Sequence, residues 1–229
     1  MTPRPAPTPP PAALRHPSGA FVVLEGGDGA GKSTQAGRLV AALRAEGHDV
    51  VRTREPGGTP LGERVRELVL DPAHGPVDPR TEALLFAAAR AAHVEQLIRP
   101  ALAAGRIVVC DRFADSSAAY QGAGRGLGVA RVAELNAWAT AGLVPDLTVL
   151  LDVRAATGRA RRLERDGGAG DRLEAEPDGF HDTTRRAFLE LAEREPGRYL
   201  VLDAARSAAE LAGEIAAAVR ARLAVEVAP

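Results

Sequence analysis

Apolar runs short enough to be strands recur along the chain, separated by stretches of helical period. The strand candidates are residues 21–25 (Phe21-Val22-Val23-Leu24-Glu25), 49–53, 106–110, 146–153 and 199–203. Between them, apolar positions return at three- and four-residue steps over 33–43, 59–70, 81–104, 130–141, 171–194 and 208–224, which predicts helices. In the segment 81–104, Leu84, Leu85, Ala88, Ala92 and Leu97 supply a buried side, while Phe86 and Arg90, four apart, share a face. Residues 71–79 carry Pro72, Pro76 and Pro79 and read as a loop. A short helix at 115–120 runs into a glycine-rich turn at 121–126. The strand at 146–153 has lost apolar alternation, as a parallel strand covered on both faces does. Strands alternating with helices in this way predict an α/β protein of three layers, a parallel sheet with helices on both faces.

The first strand runs straight into Gly26-Gly27-Asp28-Gly29-Ala30-Gly31-Lys32-Ser33-Thr34, which fits the phosphate-binding pattern G-x-x-x-x-G-K-[ST]. Glycines let backbone N–H groups approach and wrap a phosphate chain, and the helix that follows aims its positive end at the anion. Lys32 is spaced to reach the β- and γ-phosphates of a nucleoside triphosphate, and the Ser33 hydroxyl to ligate Mg2+. The strand at 106–110 ends in Asp111-Arg112, the layout of an acidic residue at a strand terminus beside the nucleotide. Read from the residues alone, Asp111 serves equally as an indirect magnesium partner, a helix cap or a partner for Arg112.

Composition narrows the surroundings. The 229 residues are 45% hydrophobic and 26% charged, enough for one α/β domain with a lid. A net charge of −1 gives no global basic field for nucleic acid or a membrane surface, so anion binding falls to local arginines. The single cysteine, Cys110, lies in an apolar strand and fits a reducing cytoplasm. No apolar run approaches the ~20 residues needed to span a bilayer, and residues 1–18, dense in Pro and Ala, lack a signal-peptide layout and read as a solvated tail. The expected organisation is therefore this tail followed by one domain at 19–229, with a lid at about 158–173.

Several further motifs occur in order: Arg54-Glu55-Pro56-Gly57-Gly58, Leu84-Leu85-Phe86-Ala87-Ala88-Ala89-Arg90, Asp111-Arg112-Phe113, Ala119-Tyr120-Gln121-Gly122, Pro145-Asp146 and Asp171-Arg172-Leu173-Glu174. Together with residues 26–33 they resemble the bacterial thymidylate kinase family, from about residue 20 to the C-terminus. The resemblance implies the P-loop nucleoside monophosphate kinase fold with a five-stranded parallel sheet, ATP-dependent phosphorylation of dTMP to dTDP with Mg2+, and a homodimer. By the same resemblance Arg54, Arg90 and Arg112 bind the dTMP phosphate, Phe86 stacks on thymine, and Ser117, Arg90 and Gln121 line the base. Tyr120 sits against the sugar, Pro56 faces the 5-methyl group, and Asp28 contacts the acceptor sugar and the magnesium shell. An aromatic on an apolar helix face such as Phe86 is otherwise a core residue, and an isolated arginine a surface one.

Phosphoryl transfer needs in-line positioning and cancellation of negative charge more than a strong base. Gly29 and Ala30 are small where some relatives carry a basic residue, so the charge must come from elsewhere. The stretch 157–165 holds Arg159, Arg161, Arg162 and Arg165 ahead of Gly167-Gly168-Ala169-Gly170, and resembles a basic lid in which Arg161 and Arg165 reach the phosphates, with Arg172 as a further candidate. The other reading of that stretch is a solvated helix face paired with Glu164 and Asp166. Alternatives for the whole chain are another P-loop deoxynucleoside or nucleoside monophosphate kinase, or a non-catalytic nucleotide switch. A guanine-binding switch would carry Asn-Lys-x-Asp, whereas the only asparagine, Asn136, is followed by Ala137.

Overall fold

A computed structural model describes residues 19–166 and 170–225. The expected tail at 1–18 and the residues 167–169 of the glycine stretch lie outside the described residues, as does the side chain of Arg165. The strands are β1 (Ala20–Gly26), β2 (Val50–Arg54), β3 (Ile107–Asp111), β4 (Leu147–Asp152) and β5 (Tyr199–Asp203). They form one parallel sheet in the order β2-β3-β1-β4-β5. Because the strand order reverses at β1, a crevice opens at the C-terminal ends of β1 and β3, the place where open α/β sheets bind ligands.

The alternation of side chains along β1 explains the layering. Val22 and Leu24 point to one face and pack with α1 (Lys32–Ala45) and α9 (Ala208–Val225) through Leu39, Leu43, Ile215 and Val219. Phe21 and Val23 point to the other, against Val94, Ile98, Leu102 and Phe113. A third cluster gathers Phe86, Tyr120, Leu150, Phe188 and Tyr199 beneath the crevice. It is built on α2 (Pro60–Leu70), α3 (Pro79–His93), and α8 (Asp178–Arg194).

Three helices differ from the periodicity-based expectation, each for a local reason. The helix expected at 81–104 starts at Pro79, with the Asp78 carboxylate accepting the N–H of Arg80 and Thr81, and widens into a π-helical turn at Val94–Ile98 before α4 (Arg99–Ala103). Pro100 supplies no N–H and its ring crowds the preceding turn, so a wider turn there keeps the rod continuous. The helix expected at 115–120 is α5 (Ala114–Ser117), continued through a π-helical segment Ala118–Gly124 where a turn was anticipated, ahead of α6 (Val129–Ala139). The helix expected from 171 begins only at Asp178. Before it, Asp171 Oδ1 accepts the N–H of Leu173 (2.9 Å) and Glu174 (2.9 Å), a local turn that competes with helix, and Pro177 then stands as the N-cap.

The arginine-rich stretch is α7 (Ala155–Asp166), and it touches the P-loop backbone directly. A Cβ on Gly158 would lie 2.2 Å from the Asp28 carbonyl oxygen, and one on Gly29, at φ +79°, 2.3 Å from the Gly158 oxygen. Only glycine at both positions allows this approach. Replacing Gly158 with Ala is therefore expected to push α7 off the loop and raise the KM for ATP about tenfold or more, on an overpacking cost of about 1–3 kcal/mol. Steady-state kinetics checks it; an unchanged KM with an unchanged melting temperature contradicts it.

Candidate active site

The crevice holds a cavity of about 280 Å³, lined on one side by Gly29, Gly31, Lys32, Ser33 and Thr34 and on the other by Arg54, Phe86, Arg112, Ser117, Tyr120 and Gln121. Asp28, Pro56, Arg90 and Asp111 also contribute to its wall. Gly26, Gly27 and Ala30 of the same loop are not among the lining residues. Gly31 takes φ +94° as the residue before α1, so the loop turns sharply into the helix and sends the free N–H groups of the first turn toward the cavity.

Lys32 curls back over the loop, its Nζ donating to the carbonyls of Gly26 (3.0 Å) and Gly27 (2.9 Å). Ser33 Oγ donates to Asp111 Oδ2 at 2.5 Å. A hydroxyl and a carboxylate side by side at the loop are hard oxygen donors of the kind Mg2+ accepts, and the site suits an ion whose remaining ligands are phosphate and water oxygens. No cluster of three or more His, Cys, Asp or Glu able to cage a metal occurs among the described residues.

Asp28 is turned away from that pair. Its Oδ1 receives Arg112 Nη2 at 2.5 Å and its Oδ2 the Tyr120 hydroxyl at 2.7 Å. Burial alone would raise its pKa, but the charges of Arg112 and Lys32 and the Tyr120 hydrogen bond hold it well below the usual carboxylate range. Arg112 in turn donates through Nη1 to Gly26 O (3.1 Å) and Ser116 Oγ (3.0 Å), and its guanidinium carbon lies 5.1 Å over the Tyr120 ring.

The other sequence-predicted arginines divide between two regions. Arg54, at the end of β2, is half exposed and pairs with Glu63 at 2.7 Å. Arg66 stands beside it in the cavity wall and donates to Pro56 O at 3.1 Å. Burial, and next the Arg54 charge, lower the pKa of Arg66, so two cations crowd one wall. Arg90 is 1% exposed and sits deeper. It donates to Glu55 Oε2 (2.7 Å), Asn136 Oδ1 (2.5 Å), Phe113 O (3.1 Å) and Ser117 Oγ (3.1 Å), which places it at the Ser117 end of the cavity. Glu55 Oε1 also lies within hydrogen-bond distance of His93 Nδ1, at 2.9 Å.

Phe86 belongs to the buried cluster under the crevice and also lines the cavity, so the core and ligand readings of this residue coincide. Gln121 Nε2 donates to Glu82 Oε1 at 2.8 Å. A carboxylate can only accept, so the amide nitrogen is fixed on Glu82. Fully buried Glu82 further receives Arg125 (3.2 Å) and Arg172 (2.5 Å).

Arg161 is not in the cavity wall. Its guanidinium donates to Gly29 O (3.4 Å) and Ala204 O (2.9 Å), tying α7 to the P-loop from behind. Arg159 pairs with Asp178, Arg162 with Glu174, and Arg172 with Glu82 and the Val69 carbonyl. Residues that pattern reading passed over are Glu25, Glu55, Glu82 and Arg66. Glu55 stood inside a recognised motif, and Arg66 lies on the helix that follows it.

A P-loop at the switch point of a parallel sheet, facing a second wall of cations with an aromatic and amides beyond it, defines a nucleoside monophosphate kinase of the P-loop class. A family model described as thymidylate kinase matches residues 24–215, and the chain belongs to that family. The thymidylate kinase of Deinococcus radiodurans is 55% identical over 204 residues, covering 89% of this chain and 98% of that protein. That of Clavibacter michiganensis is 54% identical over 198 residues, 86% of this chain and 93% of the relative. The crystal structure of thymidylate kinase from Ehrlichia chaffeensis superposes with a TM-score of 0.71 at 32% identity, covering 89% of this chain and 99% of that one. The protein is thus a phosphotransferase that phosphorylates dTMP to dTDP with ATP as donor.

Burial, and then the Arg112 charge, lower the Lys32 pKa to about 8, while Asp28, Asp111 and Glu25 offset part of this. The lysine is charged below that pH and loses its proton above it. Bound triphosphate favours the charged form, so affinity for a non-hydrolysable ATP analogue is expected to fall by up to about tenfold per pH unit above pH 8. In Lys32→Arg, whose cation does not titrate in this range, the fall should vanish. Fluorescence titration from about pH 7 to 9.5 checks this, and a flat wild-type profile contradicts it.

Proposed function

We propose that dTMP lies across the cavity with its phosphate toward Arg54, Arg66 and Arg112 and its base toward Phe86, Ser117, Gln121 and Arg90. Pro56 meets the 5-methyl group, and Asp28 and Tyr120 meet the sugar. The donor phosphates of ATP lie on residues 26–34, where backbone N–H groups and Lys32 take the negative charge. Mg2+ would be held by Ser33 and, indirectly, Asp111, and would offset the charge of the donor phosphates. Asp28, whose oxygens receive Arg112 and Tyr120, is the further candidate for the magnesium shell.

The single observation that carries this reading is the shared cavity. One continuous space touches Lys32 and Ser33 as well as Arg112, Phe86 and Gln121, so donor and acceptor can meet without water between them. No general base is required, because the acceptor phosphate is already an anion and the barrier is one of charge and alignment. Arg112 brings a permanent charge, held in place by Asp28 and Ser116. For the lid, Arg161 supports catalysis through its hold on the Gly29 carbonyl, and Arg165 remains the candidate for direct phosphate contact.

We also infer a homodimer and a cytoplasmic setting. No helix among the described residues is long and apolar enough to cross a membrane. Leu61 and Leu68 on α2, Leu84 on α3 and Trp138 on α6 are exposed apolar side chains on helices that pack side by side, a surface suited to a second copy. A monomeric mass by light scattering contradicts this.

The reaction is tested by coupled ADP release with ATP, Mg2+ and the acceptors dTMP, dUMP, dCMP and thymidine. The expected order places dTMP first and thymidine without turnover, and chelation of Mg2+ abolishes the signal. Faster turnover of thymidine than of dTMP overturns the acceptor assignment.

A further inference from the structure

Glu25 is the last side chain of β1 before the loop that binds a polyanion, and it is completely buried. A carboxylate there opposes phosphate binding unless its charge is used. Its bonding shows the use. Oε1 accepts the backbone N–H of Phe113 at 2.8 Å and of Ser116 at 3.1 Å, serving α5 as a cap supplied from another strand. Oε2 accepts the Ser116 hydroxyl proton at 2.6 Å. Having given its one proton to Glu25, Ser116 Oγ offers lone pairs only, and Arg112 Nη1 donates to it at 3.0 Å. The chain of donors therefore runs one way, from Arg112 through Ser116 to Glu25.

The backbone of Arg112 is held by the same strand. Its φ of +69° is unusual for a residue with a Cβ, a strained conformation that persists only when neighbours over-determine it. Arg112 N donates to Leu24 O at 2.9 Å, and the next N–H, that of Phe113, goes to Glu25. Consecutive residues of β1 thus fix consecutive peptides on either side of Arg112.

We propose that Glu25 is a positioning residue for phosphoryl transfer: through the Phe113 N–H and the Ser116 hydroxyl it sets both the backbone and the guanidinium of Arg112. This rests on the assignment of Arg112 to the acceptor phosphate. Glu25→Gln keeps an acceptor for the two N–H groups but turns an amide N–H toward Ser116, reversing the direction of the last link. Ser116→Ala removes the same link from its middle.

The test measures kcat and KM for dTMP and for ATP, with melting temperatures, in Glu25→Gln, Ser116→Ala, their double variant and Arg112→Lys. Glu25→Gln is expected to lower kcat/KM for dTMP by about 10- to 100-fold while KM for ATP stays within about twofold. The double variant should be no worse than the weaker single, because both break one chain. A dTMP kcat/KM within twofold of wild type in Glu25→Gln, additive losses, or a loss confined to the fraction of active enzyme overturns the proposal. Should Glu25→Gln fail to fold, Ser116→Ala alone decides by the same split between the two KM values. If Arg112→Lys leaves dTMP kinetics intact, the acceptor assignment itself fails; if only Arg112→Lys is impaired, the positioning role fails by itself.

Discussion

Two polyanions must be brought to bonding distance by a chain whose net charge is −1. The cations that do this cannot simply be abundant; they have to be concentrated at one place and aimed. Buried carboxylates supply the aim. Asp28 pairs directly with Arg112, which Glu25 reaches only through the Ser116 hydroxyl; Glu55 pairs with Arg90, and Glu82 with Arg125 and Arg172. Each pairing is largely out of water, where losing one partner leaves an uncompensated charge and costs about 3–5 kcal/mol. Such pairs contribute little net stability, but they fix geometry, and geometry is what in-line transfer requires.

The fold serves this arrangement at few points. Reversal of strand order at β1 opens the crevice, β1 delivers the P-loop and Glu25, and β3 delivers Asp111 and Arg112 beside them. The pairing of Leu24 with Asp111 in the β1–β3 register puts the two strand ends level, so that a side chain from one can cap the helix following the other. The glycine contact between Gly29 and Gly158 then brings α7 onto the loop, and Arg161 secures it from the far side.

Much of this was legible in the sequence. The strands, the phosphate loop and the Asp111-Arg112 step follow from apolar runs and a fixed local spacing. The carboxylate partners do not. Glu25 and Ser116 are 91 residues apart, Glu55 and Arg90 are 35 apart, and Arg172 and Glu82 are 90 apart, so no local pattern joins them. Periodicity does not show local overrides: a π-helical turn precedes Pro100 inside a continuous rod, and the Asp171 turn and Pro177 delay the start of α8. The resemblance puts Arg161 and Arg165 on the phosphates with Arg172 as a further candidate; Arg161 and Arg172 have protein partners, and the side chain of Arg165 lies outside the described residues. Charge density announces an anion site, but only tertiary packing says which cations line it.

The central claim is that Arg112, held by Glu25 and Asp28, receives the acceptor phosphate while Lys32 receives the donor. A crystal structure with dTMP and a non-hydrolysable ATP analogue tests it most directly. The account predicts the Arg112 guanidinium at about 3 Å from a dTMP phosphate oxygen, with Lys32 Nζ released from the carbonyls of Gly26 and Gly27 onto the donor phosphates. A dTMP phosphate bound away from Arg112, or Lys32 still bonded to those carbonyls, would contradict it.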